Sequence, residues 1–158
     1  MTLPLIITGA NGRLGQTLIR LIAGDAKYKL VAAIEQPKSP CLGNDAGINA
    51  GTREMGVKIS SELTSSRAHE RTTIVDFTTP EATIQHVKFA SQQGLSIVIG
   101  TTGLSELHIA EIKNASKKIP IVLSPNMSVG MNLLFSLVAD AALVLGETHD
   151  MEIFEAHH

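Results

Sequence analysis

Aromatic side chains are nearly missing from this chain. They make up 3% of its 158 residues, as four Phe and one Tyr, with no Trp. The core must therefore be aliphatic, as it is in parallel sheets covered by helices on both faces. Cysteine is just as scarce. Cys41 stands alone, which excludes an internal disulfide and fits a reducing cytoplasm. The 13 basic and 15 acidic residues leave a net charge of −2, so nothing points to a nucleic-acid or acidic-membrane partner. No apolar stretch is expected to reach the roughly 20 residues that span a bilayer. The run at the N-terminus is interrupted by Pro4 and is too short for a secretory signal. With 44% hydrophobic and 18% charged residues, what remains is a soluble globular protein of one domain, with room for part of a second.

Short aliphatic runs alternate with helical periods. Strands are expected over 3–8, 30–35, 73–77, 96–100 and 121–124, with a short one at 57–59 and a last one at 151–155. A first helix, 13–23, sets Leu14, Leu18, Leu21 and Ile22 on one face, with Gly24 to stop it. A second, 80–93, starts on Thr79 as N-cap with Pro80 in its first position and stops at Gly94. A third covers 105–118. A fourth, 129–145, is apolar nearly all round, so burial on two sides is expected. Residues 36–56 carry Gly, Pro, Asn and Asp without a period, and a loop that long in a compact domain is usually functional or mobile. Repeated strand–helix–strand units imply an α/β fold with a Rossmann-type, doubly wound parallel sheet. A dinucleotide-binding domain is expected over 1–127, and the start of a second, α+β domain over 128–158. Ligands bind such sheets beyond the carboxyl ends of the strands.

At the end of the first strand stands Gly9-Ala10-Asn11-Gly12-Arg13-Leu14-Gly15. Gly9 permits a tight turn, Gly12 lets a pyrophosphate approach the backbone, and Gly15 allows close packing of helix on strand. Glu35 ends the second strand, 20 residues after Gly15. A carboxylate there can accept hydrogen bonds from the adenosine ribose, or it can be a solvated strand-end charge. A 2′-phosphate would be repelled by Glu35 unless Arg13 or Lys38 neutralised it. Three more loops leave strands on the same edge: Asp76-Phe77-Thr78-Thr79-Pro80-Glu81, Gly100-Thr101-Thr102-Gly103 and Ser124-Pro125-Asn126-Met127-Ser128. They offer the donors and acceptors that a nicotinamide carboxamide needs, though Thr78, Thr79, Thr102 and Ser128 could equally cap helices. The chain closes on His157 and His158. Terminal histidines can be a tag fragment, solvent-exposed side chains or proton donors near neutral pH. With His149 and Asp150 their spacing matches no standard zinc pattern, so no metal is expected.

Six segments now stand in order: I-T-G-A-N-G-R-L-G, A-A-I-E, V-D-F-T-T-P-E, V-I-G-T-T-G, S-P-N-M-S-V-G and E-I-F-E-A-H-H. Together they resemble the bacterial 4-hydroxy-tetrahydrodipicolinate reductase family, also called dihydrodipicolinate reductase, over the whole chain. The resemblance implies NAD(P)H-dependent reduction of 4-hydroxy-tetrahydrodipicolinate to tetrahydrodipicolinate in lysine and diaminopimelate biosynthesis. It implies contacts to NADH or NADPH at Gly9, Ala10, Asn11, Gly12, Arg13, Leu14, Glu35, Gly100, Thr101, Thr102, Ser124, Pro125, Asn126 and Met127. It makes His157 the catalytic proton donor and His158 a ligand of a substrate carboxylate, the substrate being a small cyclic dicarboxylate. It also implies a cytoplasmic homotetramer.

This sequence departs from the family in places. Gln36 follows the ribose-binding Glu where many members have Arg, which points away from a strong NADPH preference, and Thr79 stands where some members have Arg. The family continues past the two histidines into a basic stretch with a catalytic Lys, a Gly-Thr substrate loop and the rest of a second domain. The 158 residues alone are therefore expected to bind cofactor without reducing substrate. Two other classes compete. Thr8 to Gly15 also fits an extended short-chain dehydrogenase, but the only tyrosine is Tyr28 and Ala32 occupies the position its catalytic Lys would need. A non-catalytic NAD(P)-binding module is the second.

Overall fold

The computed structural model describes residues 2–64, 71–154 and 156. They fall into two compact units, Met1–Pro125 and Asn126–His158.

In the first unit six strands form one sheet: β1 (Leu3–Thr8), β2 (Tyr28–Ile34), β3 (Ile59–Ser60), β4 (Thr73–Asp76), β5 (Ser96–Ile99) and β6 (Ile121–Leu123). Their order is β3-β2-β1-β4-β5-β6, and every pairing is parallel. The chain starts in the middle, winds to one edge and returns to the other side of β1. Neighbouring residues of a strand face opposite ways, so β1 feeds two cores. Leu5 and Ile7 pack with Ile19 and Ile22 of α1 (Arg13–Gly24) and with Ala46 of α2 (Ala46–Asn49). Ile6 packs with Ile84 and Val87 of α3 (Pro80–Gln93) and with Ile112 of α4 (Glu106–Ala115). Neither cluster has an aromatic among its buried residues, which are aliphatic apart from Cys41, as the shortage of aromatics requires. Because α1 and α3 cover opposite faces, a crevice opens where the strand order reverses, between the carboxyl ends of β1 and β4.

The sequence patterns locate these elements well, with informative exceptions. The α3 helix runs over the expected residues, with the Thr79 hydroxyl accepting the Ala82 N–H at 3.4 Å and Gly94 closing it at φ +68°. The buried stripe of α1 is Gly15, Ile19 and Ile22, whereas Leu14 and Leu21 are exposed. Gly15 must face the sheet for the helix to approach it, and residues four and seven further on follow it inward. Gly24 is the last residue of α1 rather than its stop, and the cap falls on Asp25. The long irregular stretch contains α2. There Asp45 accepts the N–H groups of Gly47 (2.8 Å), Ile48 (3.1 Å), Met55 (3.1 Å) and Val57 (3.1 Å). Burial raises the pKa of Asp45, but these four donors outweigh it and hold the carboxyl below its ordinary value.

The second unit holds α5 (Val129–Leu145), capped by Ser128, and a 3-10 turn, Gly146–Thr148. Three expectations fail here. None of the residues of α5 is buried, because an apolar helix is buried only by a surface packed against it. Residues 151–154 form no strand, and the other expected strand residue, Glu155, lies outside the described ones. A strand needs a partner for its ladder, and none of the described residues of this unit forms one. The expected lack of a long apolar stretch also fails. The 20 residues Val129–Thr148 are long and apolar enough to cross a membrane by length and composition, because the helix runs on into the 3-10 turn. Asp140, near its centre, would cost about 2.5–3.5 kcal/mol there.

Candidate dinucleotide site

Two crossings meet at the crevice. In the first, β1 turns into α1. Gly9 takes φ +68°, and a side chain there would also press on Thr78. Its carbonyl accepts the Gly12 N–H at 3.0 Å. A Cβ on Gly15 would collide with that same carbonyl, so the helix can sit on the turn only with glycine there. Gly12 is the N-cap of α1, with no side chain to cap it and no acidic residue in the first turn. The other α-helices of the described residues all start on a side-chain acceptor: Asp45, Thr79, Ser105 and Ser128. Thus α1 alone leaves its first amides, those of Arg13 and Leu14 among them, with no side-chain cap. These N–H groups and the positive end of the helix dipole suit a phosphate.

Glu35 lies just past β2, beside this turn. Its two carboxylate oxygens accept the N–H groups of Asn11 and Gln36, each at 2.9 Å. Each oxygen has a further lone pair with which to accept from a sugar hydroxyl. The turn, Glu35 and the loop after β4 line an open cleft of about 710 Å³, with Ile34, Pro37 and Phe77 as its apolar walls. That volume and mixed lining are right for a cofactor-sized ligand.

The second crossing leads from β4 into α3. Asp76, fully buried, ends the strand. Its Oδ1 accepts from the hydroxyls of Thr8 (3.0 Å) and Thr78 (2.6 Å), and its Oδ2 lies 3.1 Å from His86 Nδ1. A carboxylate has no proton to give, so Nδ1 is the donor. Burial raises the pKa of Asp76, but the hydrogen bond and charge of His86 and the bond from Thr78 prevail, and the carboxyl is held below its ordinary value. His86 reaches the cleft wall with 14% of its side chain exposed.

The carboxyl edge holds this site together, and the comparison with known proteins says whose site it is. The profile of the family described as "Dihydrodipicolinate reductase, N-terminus" matches residues 3–127. The chain belongs to the dihydrodipicolinate reductase family. The 4-hydroxy-tetrahydrodipicolinate reductase of Acinetobacter baumannii is 45% identical over 152 residues, which are 96% of this chain and 55% of that protein. That of Anaeromyxobacter dehalogenans is 40% identical over 153 residues, 97% of this chain and 56% of that protein. The chain thus spans little more than half the length of these curated relatives. The solved dipicolinate-bound dihydrodipicolinate reductase of Paenisporosarcina sp. TG-14 shares the fold, with a TM-score of 0.68 at 20% identity over 90% of this chain and 54% of that one.

Within this reductase-family fold the expected residues fare differently. Gly9, Asn11, Gly12 and Glu35 line one cleft. Ala10 is buried beneath it, with its N–H donating to the Ile34 carbonyl at 3.0 Å. Gly100, Thr101 and Thr102 follow the neighbouring strand, outside the lining of that cleft. The Gly100 N–H donates to the Asp76 carbonyl at 2.8 Å, and the Phe77 ring fills the space a Gly100 side chain would need. The Thr101 side chain is turned inward, where its hydroxyl accepts from the Thr78 N–H (3.1 Å) and the Thr83 hydroxyl (2.7 Å). The Ser124 N–H donates to the Ile99 carbonyl at 3.1 Å, and Pro125 closes the first unit. Asn126 and Met127 open the second unit, where Asn126 Oδ1 accepts the Ser128 N–H at 2.9 Å. His157 and His158 lie outside the described residues. Sequence reasoning missed the Asp76–His86 pair. One signal was available: an acid closing the aliphatic run Ile74-Val75 must have partners if the strand is buried.

Proposed function

We propose that this chain holds NADH or NADPH with the pyrophosphate over residues 9–15 and the adenosine ribose against Glu35. The protein it represents then reduces 4-hydroxy-tetrahydrodipicolinate to tetrahydrodipicolinate, in the cytoplasm, as a step of lysine and diaminopimelate biosynthesis. One observation carries this reading: the uncapped start of α1 and the doubly anchored Glu35 line the same cleft. When bound, the cofactor supplies a hydride. The chain's own groups bind and orient. The backbone of Gly9, Ala10, Asn11, Gly12, Arg13 and Leu14 serves the phosphates. Gly100, Thr101 and Thr102, with Ser124, Pro125, Asn126 and Met127, serve the nicotinamide end. His157 gives the proton that hydride addition to the ring requires, and His158 holds a carboxylate of the small cyclic substrate. Residues 128–158 open the substrate-binding and oligomerisation domain of a homotetramer, with neither nucleic acid nor membrane as partner.

Glu35 also sets cofactor choice. Its carboxylate is anchored by two backbone donors and is followed by Gln36, not Arg. NADH is therefore expected to bind at least as tightly as NADPH. Calorimetric titration with both tests this, and a tenfold preference for NADPH, about 1.4 kcal/mol, would overturn it. In the full-length protein, His157→Gln should lower turnover strongly and leave NADH binding nearly unchanged. Normal turnover of that variant would remove His157 from its role.

A further inference from the structure

Besides Glu35, a second side chain of the excursion between β2 and β3 reaches the glycine turn, one that sequence patterns do not single out. Asn49, the last residue of α2, donates from Nδ2 to Asn11 Oδ1 at 3.1 Å. Gln16 Nε2 donates to the Asn11 carbonyl at 3.1 Å and to its Oδ1 at 3.3 Å. The Asn11 N–H goes to Glu35 Oε2 at 2.9 Å. Both oxygens of Asn11 and its backbone donor are therefore held from three directions. Two donors converging on Oδ1 also decide which end of the Asn11 amide is oxygen, and so which way its own NH₂ group faces.

The anchor of this contact is rigid. The α2 helix begins on Asp45, whose carboxylate gathers four backbone N–H groups and so ties residues 45–48 to 55–57. Gly47 packs so closely on the Arg53 carbonyl that no side chain fits there. Arg20 of α1 donates to the Ala50 carbonyl at 2.9 Å, next to Asn49. A preformed turn matters because amides already aimed at a phosphate need no ordering when it arrives.

We infer that Asn49 is a positioning residue for the dinucleotide. From the end of α2 it fixes Asn11, and thereby the glycine turn, in its binding geometry before the cofactor enters. This rests on the reading that the pyrophosphate sits over residues 9–15. Asn49 touches no reacting atom, so it acts on binding and not on chemistry. A single hydrogen bond of this kind corresponds to roughly a threefold to tenfold change in an equilibrium constant.

The test uses Asn49→Leu, which keeps the branched skeleton, though it is bulkier, and removes the donor, and Asn49→Gln, which keeps an amide donor. NADH dissociation constants are measured by titration, and amide hydrogen exchange of residues 9–15 is followed without cofactor. Asn49→Leu should weaken NADH binding threefold to tenfold and speed exchange in the turn, with the melting temperature within a degree or two of the parent. Asn49→Gln should recover most of the affinity. In the full-length enzyme the loss should fall on KM for NADH and leave kcat alone. Unchanged affinity in Asn49→Leu, while Gly12→Val loses NADH, would overturn the role of Asn49 and leave the cofactor reading standing. Unchanged affinity in Gly12→Val as well would overturn both.

Discussion

The two crossings at the crevice are neighbours in the sheet and opposites in construction. From β1 the chain enters α1 through glycines, and nothing on a side chain caps the helix. From β4 it enters α3 through Phe77-Thr78-Thr79-Pro80, with a hydroxyl cap, a proline at the first helical position and Glu81 in the first turn. Beneath the second crossing lies a buried carboxylate partnered by Thr8, Thr78 and His86. Both helix starts need electron-rich partners for their N–H groups. One finds them in its own sequence and is a wall; the other does not, and it is the one proposed to receive the phosphates. A site for an anionic ligand is legible here as the place where the fold declines to satisfy itself.

The largest expected effect breaks the closed side. Asp76→Ala removes the common acceptor of Thr8, Thr78 and His86 and leaves an imidazole donor without its buried partner. A loss of about 3 kcal/mol in urea unfolding is expected, as hydrogen bonds to a charged acceptor are worth about 1.5–3 kcal/mol and their donors are left buried without it. A loss under 1 kcal/mol would show that the cluster is not structural.

Next comes the open side. Gly12→Val leaves an allowed backbone conformation, since Gly12 sits at φ −69°, although its Cβ would lie 3.2 Å from the Gly9 carbonyl, which must give by a few tenths of an ångström. It also puts branched carbons where the phosphate is proposed to sit. The variant should fold and should lose NADH affinity at least tenfold, about 1.4 kcal/mol.

A pH series sharpens the contrast. Asp76 has its pKa depressed in the fold, so its stabilisation is complete above the unfolded-state value near 4. It is lost as pH falls through the lower folded-state value. Urea midpoints measured from pH 7 down to pH 2.5 should fall below pH 4, and the fall should be shallower in Asp76→Asn. Equal slopes in the two proteins would assign the acid sensitivity elsewhere, with Asp45, also depressed, as the first candidate.

The smallest effect concerns the cap itself. Thr79→Ala should cost about 1 kcal/mol of stability and leave NADH affinity within about twofold. If it abolished binding instead, the wall would be part of the proposed site.

The sequence by itself determined the local and periodic features of this protein. Aliphatic runs and helical periods located the strands and helices of the first unit to within a few residues, except the short α2, which lies in a stretch without a period, because short-range sterics and burial act on neighbours. Thr79, Pro80 and Gly94 marked α3 because caps and left-handed turns are local chemistry. The glycine spacing and Glu35 marked residues that line one cleft, the proposed site, because a bound phosphate needs bare backbone. Only the tertiary structure decided what depends on residues far apart in the chain. It turned Leu14 and Leu21 of α1 outward, since the close approach of Gly15 to Gly9 fixes the rotation of that helix. It assigned the Thr101 hydroxyl to the interior, joined Asp76 to His86, and brought Asn49 to Asn11 across 38 positions. Such pairings follow from strand order and helix placement, which are set by the packing of the whole sheet and leave no periodic trace in sequence.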